Sequence, residues 1–205
     1  MIKLFFSLLF LLMIFSCNDH SKNKEQVPGS TDTAAKLTVL NKDSVLLSTG
    51  NKILSILKNK HYDSLTAYFA DSVHFYPYGF IGSGWQTLSA ADFTKLLSGN
   101  KKISWGAYDG SDDSIDFTVK QYMDKFVYNA DFLNAEKTAI DSFIGAGNSL
   151  NNLKQAYPGT RFIEYYFSGF EEKYGGMDWT SLRLVFKERE GKYYLVAVVH
   201  DQWTI

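Results

Sequence analysis

The chain has 205 residues, a formal net charge of -1 and a single cysteine, and 16% of its residues are aromatic. Its basic residues are scattered, so the charge pattern shows no footprint for nucleic acid. Cys17 lies before the part that is expected to fold, which excludes disulfides and cysteine catalysis from the folded part.

Residues 1–16 are predicted to be a signal peptide. Lys3 is their only charged residue, and the apolar run from Leu4 to Phe15 is interrupted only by Ser7. This run is shorter than the ~20 apolar residues that a membrane-spanning helix needs. We therefore expect the segment to be removed rather than to span a membrane.

The segment Ile14-Phe15-Ser16-Cys17 resembles the lipobox of bacterial lipoproteins, with Phe15 where a small residue is usual. The resemblance implies that Cys17 is acylated and becomes the new amino terminus. Acyl chains contribute ~0.8 kcal/mol per buried methylene, so two or three of them would give a stable anchor. The expected location is the bacterial cell envelope, on the extracytoplasmic side of a membrane. The alternative is a plain signal peptide in which Cys17 is incidental.

The remaining chain divides into a tether and one domain. Residues 17–43 are rich in Asn, Lys, Ser, Thr and Asp and have few aliphatic side chains, so we expect a flexible tether. Residues 44–205 are enough for one domain with a sizeable core.

Periodicity and turn residues predict helices first and strands last. A helix is expected from Ser44 to Lys60, interrupted only by Gly50 on its apolar face. Four further helices are expected before residue 158: a short one from Asp63, one capped near Ser89, one opening at Thr118 and one from Asn148 to Ala156. Two strands are expected in the same part of the chain, from Val73 to Ile81 and from Ile103 to Trp105. Pro77 limits the first of these strands to an edge or a bulge.

The last third of the chain has the period of strands. Arg161–Phe167, Trp179–Glu188 and Lys192–Trp203 are rich in Val, Leu, Phe and Tyr and are separated by glycine-containing turns, which predicts three antiparallel strands. Leu182, Leu184 and Phe186 alternate with Ser181, Arg183, Val185 and Lys187, as in a strand with one buried face.

This order predicts an α+β fold with helices covering one face of a curved antiparallel sheet. From about 44 to 81 and from 161 to 203 the layout resembles the nuclear-transport-factor-2-like, cystatin-related superfamily. That resemblance implies a cone-shaped domain with a pocket between the helices and the sheet. Residues 106–158 would then be a helical and loop insertion.

Four blocks also resemble a family of uncharacterised bacterial secreted proteins and lipoproteins. They are Trp105–Gly110, Gly147–Leu153, Gly176–Phe186 and the terminal His200-Asp201-Gln202-Trp203-Thr204-Ile205. The resemblance implies no particular activity.

Three polar residues are candidates for acid–base chemistry. His200 ends a strand, and its ordinary pKa of ~6.5 suits proton transfer if it faces a pocket. Its partner would be Asp178, beside Trp179, or Glu164. The alternative is structural: His200 bonds a carboxylate on a neighbouring strand, Asp178 closes a turn, and Arg183 pairs with Glu164.

An aromatic wall is the candidate for ligand binding. Its predicted members are Tyr76, Tyr78, Trp105, Trp179 and Trp203, with Arg183 as a polar contact. The alternative is that these residues only fill the core.

The sequence predicts no cofactor and no metal site. Residues 109–116 are dense in carboxylates but lack the register of an EF-hand loop, so a solvated acidic loop is favoured.

Two functions follow from these features. The favoured one is a membrane-anchored envelope lipoprotein whose domain binds a small molecule, a glycan or an envelope protein. The alternative is an acid–base enzyme, an isomerase, lyase or hydrolase that uses His200 with Asp178 or Glu164. A homodimer formed through an exposed sheet face is a third possibility.

Overall fold

The computed structural model describes residues 30–82, 85–145 and 151–204. Within these residues the chain forms helices and a six-stranded sheet, whose strands, numbered in chain order, lie in the order β2-β1-β8-β7-β6-β5. The strands of this sheet are β1 (Phe69–Tyr76), β2 (Gln86–Leu88), β5 (Lys137–Ile140), β6 (Arg161–Phe167), β7 (Thr180–Arg189) and β8 (Lys192–Gln202). A separate hairpin pairs β3 (Ile103–Ala107) with β4 (Ser114–Phe117). The predicted α+β class is confirmed.

The helices are short apart from the first. They are α1 (Ser30–Lys58), α2 (Ala90–Leu97), α3 (Val119–Tyr122) and α4 (Leu153–Ala156), with 3-10 turns at Tyr62–Tyr68, Phe132–Asn134 and Glu172–Tyr174 and a π-helical turn at Met123–Val127. Among the described residues, none of these helices combines the length and the apolar character needed to cross a membrane. The signal peptide, Cys17 and the first part of the predicted tether lie outside the described residues.

The three predicted carboxyl-terminal strands are confirmed as β6, β7 and β8. They pair antiparallel, and β7 turns into β8 through Glu190 and Gly191, which both have positive φ angles, as in the tight turns that join hairpins. The prediction that the middle strand has one buried face was wrong. Every residue from Thr180 to Phe186 is buried, because chain segments cover both faces of the sheet.

The strand predicted at Val73–Ile81 lies earlier in the chain and is not an edge. β1 ends at Tyr76, directly before Pro77, which has no N–H to continue a strand ladder. It lies between β2 and β8 and pairs with β8 in parallel. Local sequence patterns do not predict this parallel pair, because its two strands are more than a hundred residues apart.

Helix α1 begins at Ser30 rather than near Ser44, so it includes residues expected to belong to the tether. It packs Leu46, Ile53 and Leu54 against the sheet. Gly50 is buried on the same side, where a Cβ would collide with the Tyr165 hydroxyl and lie 2.6 Å from Ile163 Cδ1. The glycine therefore allows the helix to approach the sheet closely.

Two predicted helix starts are confirmed by their caps. Ser89 Oγ accepts a hydrogen bond from the Asp92 amide at 3.1 Å at the start of α2. Thr118 and Gln121 exchange reciprocal hydrogen bonds in a capping box at the start of α3. Such caps stabilise a helix start by about 1 kcal/mol.

Aromatic side chains fill the space between the helices and the sheet. Trp105 is fully buried and stacks on Tyr122 with ring centroids 3.9 Å apart, and its indole N–H donates to the Phe117 carbonyl at 3.0 Å. Phe75 and Phe93 pack against the same group. This side of the sheet is therefore a closed core.

The segment from Asp141 to Tyr157 covers the opposite face, so far as it is described. Leu153 packs there against Phe162 and Val185. Asn152 fixes the segment to the loop after β1, because its side chain exchanges hydrogen bonds with the backbone of Ile81. The helix predicted at Asn148–Ala156 is represented by α4, and residues 148–150 lie outside the described part.

Candidate functional site

His200 is held as a neutral, structural side chain on the core side of β8. Its Nδ1–H donates to the Pro77 carbonyl at 2.8 Å, and this fixes Nε2 as an acceptor. Nε2 lies 3.1 Å from the Thr180 hydroxyl and 3.3 Å from Asn129 Nδ2, the two groups that donate to it. Burial lowers the pKa of His200 to about 4. His200 therefore has a structural role, as the alternative interpretation predicted, but it bonds a backbone carbonyl rather than a carboxylate.

Asp178 closes a turn. Its Oδ2 accepts hydrogen bonds from the amides of Phe170 at 2.9 Å and Glu171 at 2.8 Å. Desolvation pushes the pKa of Asp178 up, but these amides outweigh it, so that the pKa is lowered. The described residues around its shallow depression are those of the same turn and do not include His200. The structure therefore gives His200 and Asp178 separate partners.

Glu164, Arg183 and Asp201 form a charge network across three adjacent strands. Glu164 lies directly opposite Arg183, and its Oε1 receives Arg183 Nη2 at 2.9 Å and Nε at 3.1 Å. Arg183 Nη1 lies 2.8 Å from Asp201 Oδ2, although its N–H bonds are not aligned for a hydrogen bond. Burial raises the pKa of Asp201, and the Arg183 guanidinium only partly opposes this.

The network attaches the covering segment to the sheet. Glu164 accepts hydrogen bonds from the amides of Ile144 at 2.5 Å and Gly145 at 3.4 Å, and the Phe143 ring lies 5.2 Å from the Arg183 guanidinium carbon. Arg183 and Glu164 have no exposed side-chain surface. The predicted pairing of these two residues is therefore present, and its geometry stabilises the fold rather than offering Arg183 to a ligand.

The five predicted wall aromatics do not lie together. Trp105 belongs to the closed core on the helix side. Tyr76 and Trp179 point to the opposite face, where Trp179 packs on Tyr166 and Tyr76 on Tyr157. Tyr78 and the half-buried Trp203 lie at the end of the sheet, beyond β1 and β8.

A cleft of about 130 Å³ opens at that end of the sheet. We call it the terminal cleft, and its lining residues are Tyr78, Phe80, Ala107, Tyr108, Asp109, Asp112 and Thr204. They come from the loop after β1, from the turn between β3 and β4, and from the residues after β8. Of the predicted binding residues, Tyr78 is the one that lines it.

The terminal cleft combines aromatic surface with free carboxylates. Burial raises the pKa of Tyr78, and a hydrogen bond with the Asp109 backbone partly offsets the effect. Among the described residues, the carboxylates of Asp109 and Asp112 have neither an ion-pair nor a hydrogen-bond partner. They can therefore accept hydrogen bonds from a ligand.

The turn that carries these carboxylates is ordered by its own backbone. The amide of Asp112 donates to the Tyr108 carbonyl at 3.0 Å, and the amide of Tyr108 donates to the Asp113 carbonyl at 2.8 Å. Lys125 Nζ lies 5.3 Å from the centre of the Tyr108 ring. Within the described residues there is no cluster of three or more metal-binding side chains.

The predicted binding residues did not include four members of this cleft, namely Phe80, Ala107, Tyr108 and Thr204, and Asp109 and Asp112 were assigned only to a solvated acidic loop. The acidic stretch was a usable signal. The sequence alone does not show that Tyr78, about thirty residues earlier, lies beside this acidic stretch.

A second polar group lies on the opposite face of the sheet. The Tyr157 hydroxyl is 2.5 Å from His74 Nδ1 and 2.9 Å from the Tyr76 hydroxyl. Burial lowers the pKa of His74, which favours the neutral ring that accepts from Tyr157. These contacts attach the end of the covering segment to β1.

Comparison with known proteins gives no match, whether to protein-family models, to curated sequences or to solved structures.

Proposed function

We propose that this chain is an envelope lipoprotein, anchored through acylated Cys17, whose domain binds the end of a glycan or a similar polyhydroxylated molecule in the terminal cleft. The proposal keeps the expected signal peptide at residues 1–16 and assigns the domain to the nuclear-transport-factor-2-like arrangement. The longer helices, α1 and α2, on one side of a curved sheet support that assignment.

The observation that carries the proposal is the lining of the terminal cleft. The rings of Tyr78, Phe80 and Tyr108 offer apolar faces, and Asp109 and Asp112 offer carboxylate oxygens without protein partners. A sugar ring has apolar C–H faces and a rim of hydroxyl donors, so it satisfies both kinds of surface.

The size of the cleft limits what it can hold. Pockets for whole drug-sized ligands measure roughly 300–1,000 Å³, whereas the terminal cleft measures about 130 Å³. We infer that it receives one terminal unit and leaves the rest of the ligand outside. The exposed ring of Phe80 lies at the cleft and can contact that outer part.

The acid–base enzyme has less support. Both ring nitrogens of His200 are engaged by Pro77, Thr180 and Asn129. Asp178 serves a turn, and Glu164 is neutralised by Arg183. Ligand binding needs only exposed apolar and hydrogen-bonding groups, and the terminal cleft provides both.

The test of binding begins with an array of monosaccharides and oligosaccharides, followed by calorimetry on the sugars that bind. Asp109→Asn and Asp112→Asn should each weaken binding about ten- to hundredfold, the loss expected for a hydrogen bond to a charged group. Asp63→Asn is the matched control, because Asp63 is exposed and lies in the 3-10 turn after α1. Binding that both cleft variants retain at full strength would overturn the site.

The anchor is tested separately in bacterial cells. The intact mass of the purified chain should show a diacylglycerol group on Cys17, and Cys17→Ser should move the protein from the membrane fraction to the soluble fraction. An unmodified Cys17 in the membrane fraction would contradict the proposal.

A further inference from the structure

Helix α1 runs along the sheet in its second half. Part-way along the helix, Lys42 pairs with Glu188 at 3.0 Å, beside the turn between β7 and β8. At its end, Lys58 pairs with Asp131 at 2.6 Å. Asp131 immediately precedes Phe132, whose ring packs on Phe167 at the end of β6. Lys42 and Lys58 therefore lie at opposite ends of the sheet, and the chain enters on the Lys42 side.

The terminal cleft lies at the end where α1 finishes. β8 runs from the β7–β8 turn to Gln202, and Thr204 lines the cleft just beyond it. β1 runs parallel to β8, and Tyr78 follows β1 at the same end. A strand of the length of β8 spans about 35 Å. The cleft is separated by that distance from the end of the domain where the chain enters.

We propose that the anchored domain holds its terminal cleft away from its own membrane, so that its ligand is a glycan reached from the aqueous compartment and not a lipid headgroup of the anchoring leaflet. This inference rests on the proposed anchoring at Cys17. The observation that supports this orientation is the entry of the chain at the end of the sheet opposite the cleft.

The reach of the chain supports this orientation. The residues from Cys17 to Ser30 can span at most about 45 Å, even when fully extended. Helix α1 is itself about 43 Å long. The cleft can therefore face the anchoring membrane end-on only if the tether is pulled almost straight along the entire domain, which costs the chain its conformational freedom.

Apolar side chains are exposed at the same end of the sheet as the terminal cleft. Phe170, Tyr174 and Met177 are 59%, 41% and 51% exposed, and they lie in the turn between β6 and β7. Contact of these side chains with lipid would be favourable if the tether allowed it. A probe beside them would detect such contact directly.

The experiment uses the chain from Cys17 to Ile205, coupled through Cys17 to a maleimide lipid in phosphatidylcholine vesicles that carry a dansyl headgroup lipid. Because Cys17 is the only thiol, the coupling is specific. Energy transfer is measured from tryptophan to dansyl. Lys192→Trp adds a donor at the β7–β8 turn, and Glu172→Trp adds one beside Phe170 at the cleft end; both positions are exposed.

Lys192→Trp should raise the transfer at least about twofold over the parent chain, and Glu172→Trp should leave it unchanged, because about 35 Å of sheet separates the two positions. Equal transfer from both positions, or greater transfer from Glu172→Trp, would overturn the orientation. Because the lipid is attached chemically, this result does not depend on whether cells acylate Cys17. The mass measurement on cellular protein addresses that point, so the two failures are distinguishable.

Discussion

The Arg183 guanidinium lies between two carboxylates on the covered face of the sheet, and its stronger partner is Glu164, which it contacts through both Nη2 and Nε. Removing Glu164 breaks the buried pair and leaves the Arg183 guanidinium with the more weakly held Asp201 alone, and breaking a buried pair costs roughly 3–5 kcal/mol. Glu164→Gln should therefore lower the free energy of unfolding by about that amount, as measured by urea denaturation.

The exposed pair Arg189–Asp71 offers the control for this substitution. Its oxygen–nitrogen distance of 2.8 Å is similar, but Asp71 is almost fully exposed. Asp71→Asn should change the unfolding midpoint little, because solvent screens exposed pairs. A Glu164→Gln protein as stable as Asp71→Asn would mean that the buried network does not stabilise the fold.

Asp201 should make the protein less stable as the pH rises. Burial raises the pKa of Asp201 above its ordinary value of 3.8, so the folded state holds this proton more tightly than the unfolded chain does. Its stabilising contribution is complete below the unfolded pKa and is lost as the pH rises through the raised folded pKa. Asp201→Asn should therefore gain stability relative to the parent over that window, measured by unfolding at a series of pH values. A difference that does not vary with pH would refute the assignment.

His200 should make the protein less stable as the pH falls. Burial lowers the pKa of His200 from 6.5 to about 4, so the folded state prefers the neutral ring. The contribution of His200 to the free energy of unfolding is present above pH 6.5 and is lost as the pH falls towards 4. NMR of the His200 ring should show no titration between pH 8 and pH 5. Titration of His200 near 6.5 would show that the ring is open to solvent.

Gly50→Ala should destabilise the protein although alanine is the better helix former. The added methyl group would meet Tyr165 and Ile163, and overpacking of this kind costs about 1–3 kcal/mol, more than the ~1 kcal/mol gained in helix propensity. Thermal unfolding measures the balance. Adding Tyr165→Phe should restore part of the loss, because it removes the atom that collides. Asn51→Ala, on the exposed side of the same helix, is the control.

Much of the fold could be predicted from local patterns. The period of two in the last third identified β6, β7 and β8, and Ser89 and Thr118 marked two helix starts, because side-chain alternation and capping are properties of neighbouring residues. The pattern failed at Arg183. A polar residue that alternates with leucines indicates a solvent-facing side, yet here a second chain segment buries that side.

By itself, the sequence determined the α+β class, the antiparallel end of the sheet and the expectation of an anchor at Cys17. Only the tertiary structure decided that β1 pairs with β8 in parallel, that α1 enters at one end of the sheet, and that Tyr78, Tyr108, Asp109 and Thr204 meet at the other. The physical reason is the separation of these residues along the chain. Local periodicity tells which way a side chain points, whereas long-range packing determines what it meets there.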